Sequence, residues 1–520
     1  MYTLIQKIKE QYKIIVTIIV TLAICVGVFF YYGNEKEISF CDEVYSYTII
    51  NHGIGLTVRD NRWYADGEMD YRLNSSSGYF GYEEAIMITG QDVHPPVYYL
   101  VLKTFSMLFP QSTSKWLGLA TNLLAFIPML FLVYWGVFKN TENPWISAVI
   151  TIMFGVHPGV QGCAQLIRMY FWLALWFMLF FILTKELCRK PEQKWWIYVA
   201  LGIVTFLGFM TQYYFAVYVV IFSVFWCADI LLHKKWKPFF EYMCAMIGAV
   251  VAATAFFPEW ITHIFYGYKG QQSFSTLQSW ENYAEELENT IEVIGYFVFG
   301  NYYKLYLKVL IVIPILILLN RKLEKGSIKK TFIIHLVTQI LYCCIVAHVM
   351  PSVESRYFWS VIILQIVMYL WAIGDLLKVY EFVNKKIVTV ILAVLALVYT
   401  TGVPERTTQV PYLGAQYKEG RIMMEQYADI PWIYYGERNW QMHCSAFDIL
   451  IPNQLMYIRD LSTLVYDEVL INSQEIVIYA QSEEDIMALV EQMEIISGID
   501  CEAEFLVKRP YNYAYLLKFQ

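Results

Sequence analysis

The chain has 520 residues, of which 58% are hydrophobic and only 16% are charged, and its net charge is −7. Soluble domains usually carry about a quarter charged residues, so this composition excludes an ordinary soluble protein and indicates a polytopic membrane protein. The acidic balance argues against nucleic acid as a partner. The ten cysteines show no CxxC or Cys/His metal-ligand spacing, and most lie in apolar segments as small buried hydrophobes.

Eleven apolar segments have about the length of a membrane-spanning helix. The first contains IIVTIIVTLAICVGVFFYY, which is too long for a signal-peptide core and is interpreted as a retained anchor. No internal repeat of fixed period is found, which does not favour a repeat-built transporter. The predicted spans are residues 14–32, 117–138, 145–158, 168–186, 195–213, 215–232, 238–257, 304–320, 331–349, 357–376 and 387–403.

Basic residues cluster in short segments next to these spans, and the positive-inside rule places those segments in the cytoplasm. The clusters are Lys7, Lys9 and Lys13; Lys185, Arg189, Lys190 and Lys194; Lys234, Lys235 and Lys237; Arg321, Lys322, Lys325, Lys329 and Lys330; and Lys378, Lys385 and Lys386. This orientation leaves a long first outer loop, residues 33–93.

The segment 94–109, HPPVYYLVLKTFSMLF, is apolar enough to span, but a span here would move every later basic cluster outside. We therefore predict an interfacial or re-entrant helix that starts at Pro95 and Pro96, with Lys103 on its polar face or snorkelling. A membrane domain over residues 1–404 follows from this arrangement.

Residues 405–520 are less apolar and alternate strand-like runs with helical stretches, such as SEEDIMALVEQM after a capping-box pattern at Ser482 and Asp485. We predict a small α/β domain outside the membrane. Cys444 and Cys501 would both lie in it and could form a disulfide there.

Asp42 and Glu43, in FCDEVYSYT, follow the first span and open the outer loop. Composition alone favours ordinary solvation for two acids in such a loop, and the alternative is a site that handles sugars or protons. His94, in DVHPPVYY, is either a capping residue or a donor to a phosphate at the membrane surface.

Arg168 and Arg356 each begin a predicted span at its outer end, against the positive-inside trend. A cation at this depth is expensive and is usually paired or functional. An anionic phosphate headgroup would explain both arginines, whereas the structural alternative is an ion pair, with Glu354 as a candidate partner for Arg356. Tyr213 and Tyr214 fit either an interfacial aromatic belt or the lining of a headgroup pocket.

Taken in order, these motifs resemble the GT-C superfamily of membrane glycosyltransferases, in particular protein O-mannosyltransferase-like enzymes and the lipid A aminoarabinose transferase. The resemblance covers about residues 12–400. The matching residues are Asp42, Glu43, His94, Pro95, Pro96, Tyr98, Tyr99, Gln165, Arg168, Met169, Tyr170, Thr211, Tyr213, Tyr214, Arg356 and Tyr357.

The resemblance implies a multi-pass enzyme of the cell membrane that takes a monosaccharide from a polyprenyl-phosphate donor and transfers it, outside the membrane, to an unknown acceptor. It implies Asp42 as the base, with Glu43 as its neighbour, and no tightly held metal or other cofactor. The expected substrate-binding residues are His94, Lys103, Arg168, Tyr170, Tyr213, Tyr214, Arg356 and Tyr357. A lipid-linked-sugar flippase and a non-catalytic envelope-assembly protein remain alternatives.

Overall fold

Helix α1 (Tyr2–Asn34) carries the first apolar segment and begins a bundle of long helices that is joined, at one end only, by a β-sheet domain. The computed structural model describes residues 2–75, 81–319, 327–350, 354–379, 384–436 and 439–520. Of the predicted basic residues, Arg321, Lys322 and Lys325 lie outside the described residues.

Seven helices in the described ranges are long and apolar enough to cross a membrane. They are α1, α6 (Lys115–Thr141), α9 (Tyr170–Arg189), α11 (Tyr214–Leu232), α12 (Trp236–Phe256), α17 (Ser327–Val349) and α18 (Arg356–Val379). The number, the length and the apolar composition of these helices are those of a multi-pass membrane protein.

Four further predicted spans are bent or short helices. Helices α7 (Pro144–Gly155) and α8 (Pro158–Gln165) meet at 59°, and α15 (Tyr283–Phe299) with its short extension meets α16 (Leu305–Leu319) at 99°. The remaining two, α10 (Trp195–Phe209) and α19 (Lys385–Thr401), are shorter apolar helices. Each of the predicted spans thus coincides with a helix.

The segment between α1 and α6 stays at one end of the bundle. It contains α2 (Cys41–Asn51), β1 (Arg62–Ala65), α3 (Asp70–Leu73), α4 (Tyr82–Gln91) and α5 (Val97–Leu108). With 12 residues, α5 is about 18 Å long, which is too short to cross a hydrocarbon core of about 30 Å. This length agrees with the predicted interfacial or re-entrant helix, and the statement that 94–109 does not span stays a prediction.

Contacts between span ends show which ends lie together. The Nζ atom of Lys115, at the start of α6, donates to the carbonyl of Lys36, just after α1, at 2.6 Å. The Ile167 amide, just before α9, donates to Glu43 at 2.8 Å. Helices α13 (Glu259–Phe265) and α14 (Tyr268–Gln278) follow α12 at this same end. We call this end, where α2 and the sheet domain lie, the sheet end.

The sheet has six strands in the order β1-β3-β2-β4-β6-β5. Strands β2, β3 and β4 are parallel, as expected where helices cover the crossovers, whereas β1 and β6 are antiparallel to their neighbours. The elements are α20 (Lys418–Glu425), β2 (Trp432–Tyr435), α21 (Asn439–Cys444), β3 (Gln454–Ile458), α22 (Glu468–Ile471), β4 (Glu475–Ala480), α23 (Glu483–Ser497), β5 (Cys501–Lys508) and β6 (Tyr513–Phe519).

The small α/β domain predicted for the C-terminal part is therefore present, but it is not built from that part alone. Strand β1 comes from the first loop and pairs with β3, with Trp63 opposite Met456. Helix α23 starts at the predicted capping box, because the Ser482 hydroxyl accepts from the Asp485 amide at 3.0 Å. The loop after α1 and the C-terminal chain thus form one folded unit.

A buried ion pair joins this unit to the bundle. Nη2 of Arg509 donates both to Oδ1 of Asp448 at 2.7 Å and to the carbonyl of Glu37, between α1 and α2, at 3.1 Å. Both charged side chains are at least 94% buried. Because an unpaired buried charge is costly, this pairing fixes the sheet domain close to the start of α2.

Candidate active site

Asp42 and Glu43 lie on helix α2, not in an open loop, and they face different directions. Successive residues of an α-helix point about 100° apart, so adjacent acids cannot share one environment. The Glu43 carboxylate is buried, lies 3.0 Å from the Lys36 ammonium, and accepts from the amides of Phe40 and Ile167 at 2.8 Å each. These contacts make Glu43 a structural anchor for the start of α2, whereas Asp42 lines a cavity.

The cavity has a volume of about 850 Å³ and lies between α2, α11, α14 and α17 at the sheet end. Its polar end is lined by Asp42, Asp92, His94, Arg168, Glu354 and Arg356, and its wall also includes Tyr45, Gln212, Tyr213, Tyr214, His263, Tyr268, Lys269 and Tyr357. From there an apolar arm runs along α11 and α17.

The arm lies where the two spans meet lipid. Val220 on α11 and Ile345 on α17 line it, and their side chains are 60% and 39% exposed. Phe274 and Leu277 of α14 cover it from the sheet end. Apolar side chains exposed within spanning helices face the hydrocarbon of a bilayer, so the arm is accessible to a lipid chain.

Asp42 lies between the two arginines that the sequence singled out. Its Oδ2 atom is 3.2 Å from Nε of Arg356 and 3.9 Å from Nε of Arg168. Both arginine side chains are at least 91% buried, whereas Asp42 is 20% exposed towards the cavity. Burial alone would raise the pKa of Asp42, but the positive charges of Arg168 and Arg356 outweigh it and hold the pKa below its usual range.

Arg168 is held by contacts of its two terminal nitrogens. One terminal nitrogen, Nη1, donates to the Tyr99 hydroxyl at 2.9 Å, the Asp42 carbonyl at 3.2 Å and the Ser46 hydroxyl at 3.3 Å. The other, Nη2, is 3.0 Å from Nε2 of His94. The predicted neighbourhood of Asp42, His94 and Arg168 is therefore formed around this guanidinium.

The contact with Arg168 determines which ring nitrogen of His94 carries the proton. A guanidinium can only donate, so His94 Nε2 must accept from Arg168, and the ring proton is on Nδ1. That atom lies 2.6 Å from Oδ2 of Asp92, to which it donates. Burial raises the pKa of Asp92, but His94 and Arg168 lower it below its usual range. The sequence left His94 as a capping residue or a donor to a phosphate; in this geometry its two ring nitrogens contact Arg168 and Asp92.

The predicted tyrosines divide into lining and supporting residues. Tyr214 and Tyr357 line the cavity, and their ring centroids are 5.4 Å apart. Tyr170 is buried behind Tyr357, with 6.1 Å between the two ring centroids. The Tyr213 hydroxyl is 2.8 Å from Nδ1 of His263, a further lining residue. Tyr170 thus contacts the lining from outside the cavity and is not itself among the cavity residues.

Lys103 does not reach the cavity. Its side chain is 4% exposed, and its ammonium donates to the carbonyl of Ile50 at 2.7 Å. Ile50 is near the C-terminal end of α2, where the helix dipole and the unpaired carbonyls favour a cation. Lys103 therefore anchors α5 to α2 and lies neither on a polar surface nor beside a substrate.

Several lining residues were not predicted. Lys269 and Tyr268 begin α14, His263 ends its neighbour α13, and Asp92 is two residues before His94. Of these, Lys269 carries the same signal as Arg168 and Arg356, because it is a cation at the end of the bundle away from the basic clusters. The other three lack any local pattern that separates them from ordinary loop residues.

Within the part of the chain that the structure describes, no three His, Cys, Asp or Glu side chains come together as a group that could hold a metal ion. Metal-independent chemistry stays a prediction. The positive charge beside Asp42 is instead supplied by Arg168 and Arg356.

No protein-family model matches the chain, and no curated protein sequence matches it either. Solved structures do. ArnT from Cupriavidus metallidurans bound to undecaprenyl phosphate aligns at a TM-score of 0.50 with 12% identity, covering 96% of this chain and 97% of that chain. The apo state of ArnT aligns at 0.51 with the same identity and coverage. The archaeal oligosaccharyltransferase AglB from Archaeoglobus fulgidus aligns at 0.39, with 10% identity over 98% of this chain and 74% of that chain.

An alignment over nearly the whole length of both chains includes the helical bundle and the sheet domain together. At 12% identity it reports the fold. The chain therefore has the fold of ArnT over nearly its whole length.

Proposed function

We propose that the protein is a glycosyltransferase that moves a monosaccharide from a polyprenyl-phosphate donor to an acceptor on the extracytoplasmic face of the membrane. The observation that carries this proposal is the cavity in which Asp42, Arg168 and Arg356 meet at the polar end of a lipid-accessible apolar arm. A polyprenyl-phosphate sugar has the same sequence of parts: an apolar chain, an anionic phosphate and a polar sugar.

The donor would bind with its chain along α11 and α17 and its phosphate near Arg356. Lys269 adds an exposed ammonium to the cavity wall, and Arg offers a planar fork that suits phosphate. Glu354 accepts from Nη1 of Arg356 at 2.7 Å, which holds that guanidinium from the side opposite Asp42. We assign Glu354, like His94 and Asp92, as a residue that positions an arginine.

The reaction we propose is a single displacement with inversion. The acceptor oxygen forms a bond to the anomeric carbon while the bond from that carbon to the phosphate oxygen breaks, and its electron pair leaves with the lipid phosphate. The acceptor proton moves to Asp42. The guanidinium groups stabilise the negative charge of the departing phosphate, so no separate general acid is required.

Donor binding would also change the pKa of Asp42. In the free site, Arg168 and Arg356 keep the pKa of Asp42 low, which makes its carboxylate a weak base. A phosphate that enters beside Arg356 brings negative charge, which offsets part of that effect and raises the pKa of Asp42. The base would therefore become effective only when the donor is in place.

The extracytoplasmic side is supported by the distribution of charge. The described basic clusters lie at the end of the bundle opposite the sheet end, as in the contact of Lys235 with Glu192 at 3.5 Å between the loops before α10 and α12. The positive-inside rule assigns that end to the cytoplasm. The cavity and the sheet domain would then face outwards.

A lipid-linked-sugar flippase is the alternative function, since such a protein could also hold a lipid chain in the apolar arm. Such a protein needs ionisable groups along a path through the membrane. His335 does lie inside the bundle, but its ring nitrogens are bonded to the hydroxyls of Thr184 at 3.0 Å and Tyr218 at 2.8 Å. Its polar atoms are thus satisfied locally, whereas the cluster of charges lies at one end, which favours an enzyme.

The test uses the full-length protein in detergent with undecaprenyl phosphate as probe, followed by native mass spectrometry. We expect binding in the micromolar range, weakened about tenfold in Lys269→Gln by loss of one charge-assisted contact of about 1.5 kcal/mol. Lys508→Gln, which removes an exposed cation of the sheet domain, is the matched control.

The second arm measures release of undecaprenyl phosphate from its monosaccharide conjugates with wild-type protein in liposomes. Equal binding by wild type and Lys269→Gln would contradict the phosphate position. Binding without release from any conjugate, combined with transbilayer movement of the lipid, would favour the flippase.

A further inference from the structure

Two cysteines from distant parts of the chain meet beside the candidate base. Cys41 is the first residue of α2, directly before Asp42, and Cys444 is the last residue of α21 in the sheet domain. Helices α2 and α21 pack together: the Ser39 hydroxyl donates to the His443 carbonyl at 3.2 Å, and the rings of Tyr45 and His443 are 4.8 Å apart.

The two thiols are neighbours where α2 and α21 pack together. The Cys41 sulfhydryl donates to Oδ1 of Asp42 at 3.9 Å, and the nearby Cys444 thiol raises the pKa of Cys41, whereas Cys41 lowers the pKa of Cys444. The backbone amide of Cys41 also donates to the Cys444 sulfur, and this contact further lowers the pKa of Cys444. Cys444 is therefore the thiol of this pair that ionises first, and the thiolate is the reactive form in disulfide chemistry.

The other cysteines do not offer such a pair at the sheet end. Cys501, the partner predicted for Cys444, lies at the start of β5 and packs against the cluster that includes α23, while its thiol donates to the Ile499 carbonyl at 3.5 Å. Residues on either side of Cys444, Met442 and Ala446, belong to the cluster on the opposite face of the sheet. This placement does not favour the Cys444–Cys501 disulfide, which the sequence left open.

We propose that Cys41 and Cys444 form a disulfide bond that ties the catalytic turn of α2 to the sheet domain. The proposal rests on the outward orientation of the sheet end proposed above, since disulfides persist in oxidising compartments. It does not rest on glycosyl transfer.

The oxidant is the disulfide of a thiol–disulfide oxidoreductase. The Cys444 thiolate attacks one oxidant sulfur and forms a mixed disulfide, which releases the other oxidant sulfur as a thiolate. The Cys41 sulfur, after losing its proton, attacks Cys444, and the oxidant leaves as a dithiol. Two thiols of the protein are oxidised, one disulfide of the oxidant is reduced, and the two protons pass to the oxidant's sulfurs.

The test identifies peptides from the full-length protein, so it needs no variant that folds poorly. Native membranes are treated with N-ethylmaleimide to block free thiols, digested without reduction and analysed by mass spectrometry. A second sample is protein purified in detergent and incubated with oxidised glutathione. We expect a peptide that links Cys41 to Cys444, lost on reduction, and retained in Cys501→Ser as the matched control.

A linked Cys41–Cys444 peptide in either sample supports the assignment. Maleimide on both Cys41 and Cys444 in both samples would overturn it, and so would a peptide that links Cys444 to Cys501. Because the readout is a covalent bond, it can fail while sugar transfer succeeds, or succeed while sugar transfer fails.

Discussion

The Nε atom of Arg356 lies 3.2 Å from Oδ2 of Asp42, so an arginine at the start of α18 contacts an acid in the first turn of α2. Arg168 approaches the same carboxylate oxygen from the other side at 3.9 Å. The Asp42 carboxylate therefore lies between two buried guanidinium groups, of which Arg356 is also paired with Glu354. This arrangement links the charge of the candidate base to the groups that would bind phosphate.

Replacing Asp42 by Asn should lower sugar transfer at least about 100-fold, the range typical for loss of a general base. It should also lower thermal stability, because Arg168 and Arg356 would lose their shared counter-charge. The measurement is transfer per folded molecule, with melting temperature recorded in parallel. Asp66→Asn, an exposed acid of the same loop, is the control and should change neither. Transfer by Asp42→Asn at the wild-type rate would remove Asp42 as the base.

Replacing Arg356 by Gln should move the acid limb of the pH–rate profile to higher pH. Arg356 lowers the pKa of Asp42, so its removal lets that pKa rise, and the carboxylate then becomes protonated at a higher pH than in the wild type. The profile is measured as kcat/KM, which reports the free enzyme. An acid limb at the same or lower pH in Arg356→Gln would show that Asp42 is not the titrating group. Arg62→Gln, a cation near the same loop but exposed, should leave the profile unchanged.

The sequence was sufficient to bring Asp42, Arg168 and Arg356 to one end of the bundle. Both arginines oppose the positive-inside trend, and the parity of the spans depends on whether 94–109 crosses. The charge asymmetry and the parity of the spans depend on the chain as a whole, and one sequence contains all the information that they need. Each of the eleven predicted spans coincides with a helix for the same reason, although only seven of the described helices are long and apolar enough to cross a membrane by themselves.

The sequence was insufficient where the direction of a side chain decides its role. Glu43 was paired with Asp42 because FCDEVYSYT was interpreted as a loop, but α2 begins at Cys41 and turns the two acids apart. Lys103 was expected at a polar surface, yet the end of α2 lies against it. Strand β1 joins a sheet formed almost 400 residues later, and no local pattern encodes such long-range pairing.

Replacing Glu43 by Gln should destabilise the fold without removing the base. Glu43 and Lys36 form an ion pair that is almost completely buried, and breaking such a pair at one partner costs about 3–5 kcal/mol. The expected result is a clearly lower melting temperature with transfer per folded molecule within a few-fold of wild type. Glu68→Gln breaks a half-exposed pair with Arg62 and should cost about 1 kcal/mol or less. A Glu43→Gln protein that is as stable as wild type but inactive would instead place Glu43 in the chemistry.

His443 should make the docking of the sheet domain sensitive to acid. Its Nε2 accepts from the Leu56 amide at 2.8 Å, so the ring must be neutral at that atom, and burial lowers its pKa from 6.5 to about 4. As the pH falls below 6.5, the unfolded chain binds a proton that the folded protein does not, so stability is lost progressively until about pH 4. The linkage relation gives about 3 kcal/mol over this interval.

His443→Asn should be less stable at neutral pH but show a flatter dependence of stability on pH, as measured by melting temperature between pH 7.5 and 4.5. The exposed His233→Asn should follow the wild-type curve. Parallel curves for wild type and His443→Asn would show that a different group titrates, and that the contact between α2 and α21 does not depend on a neutral imidazole.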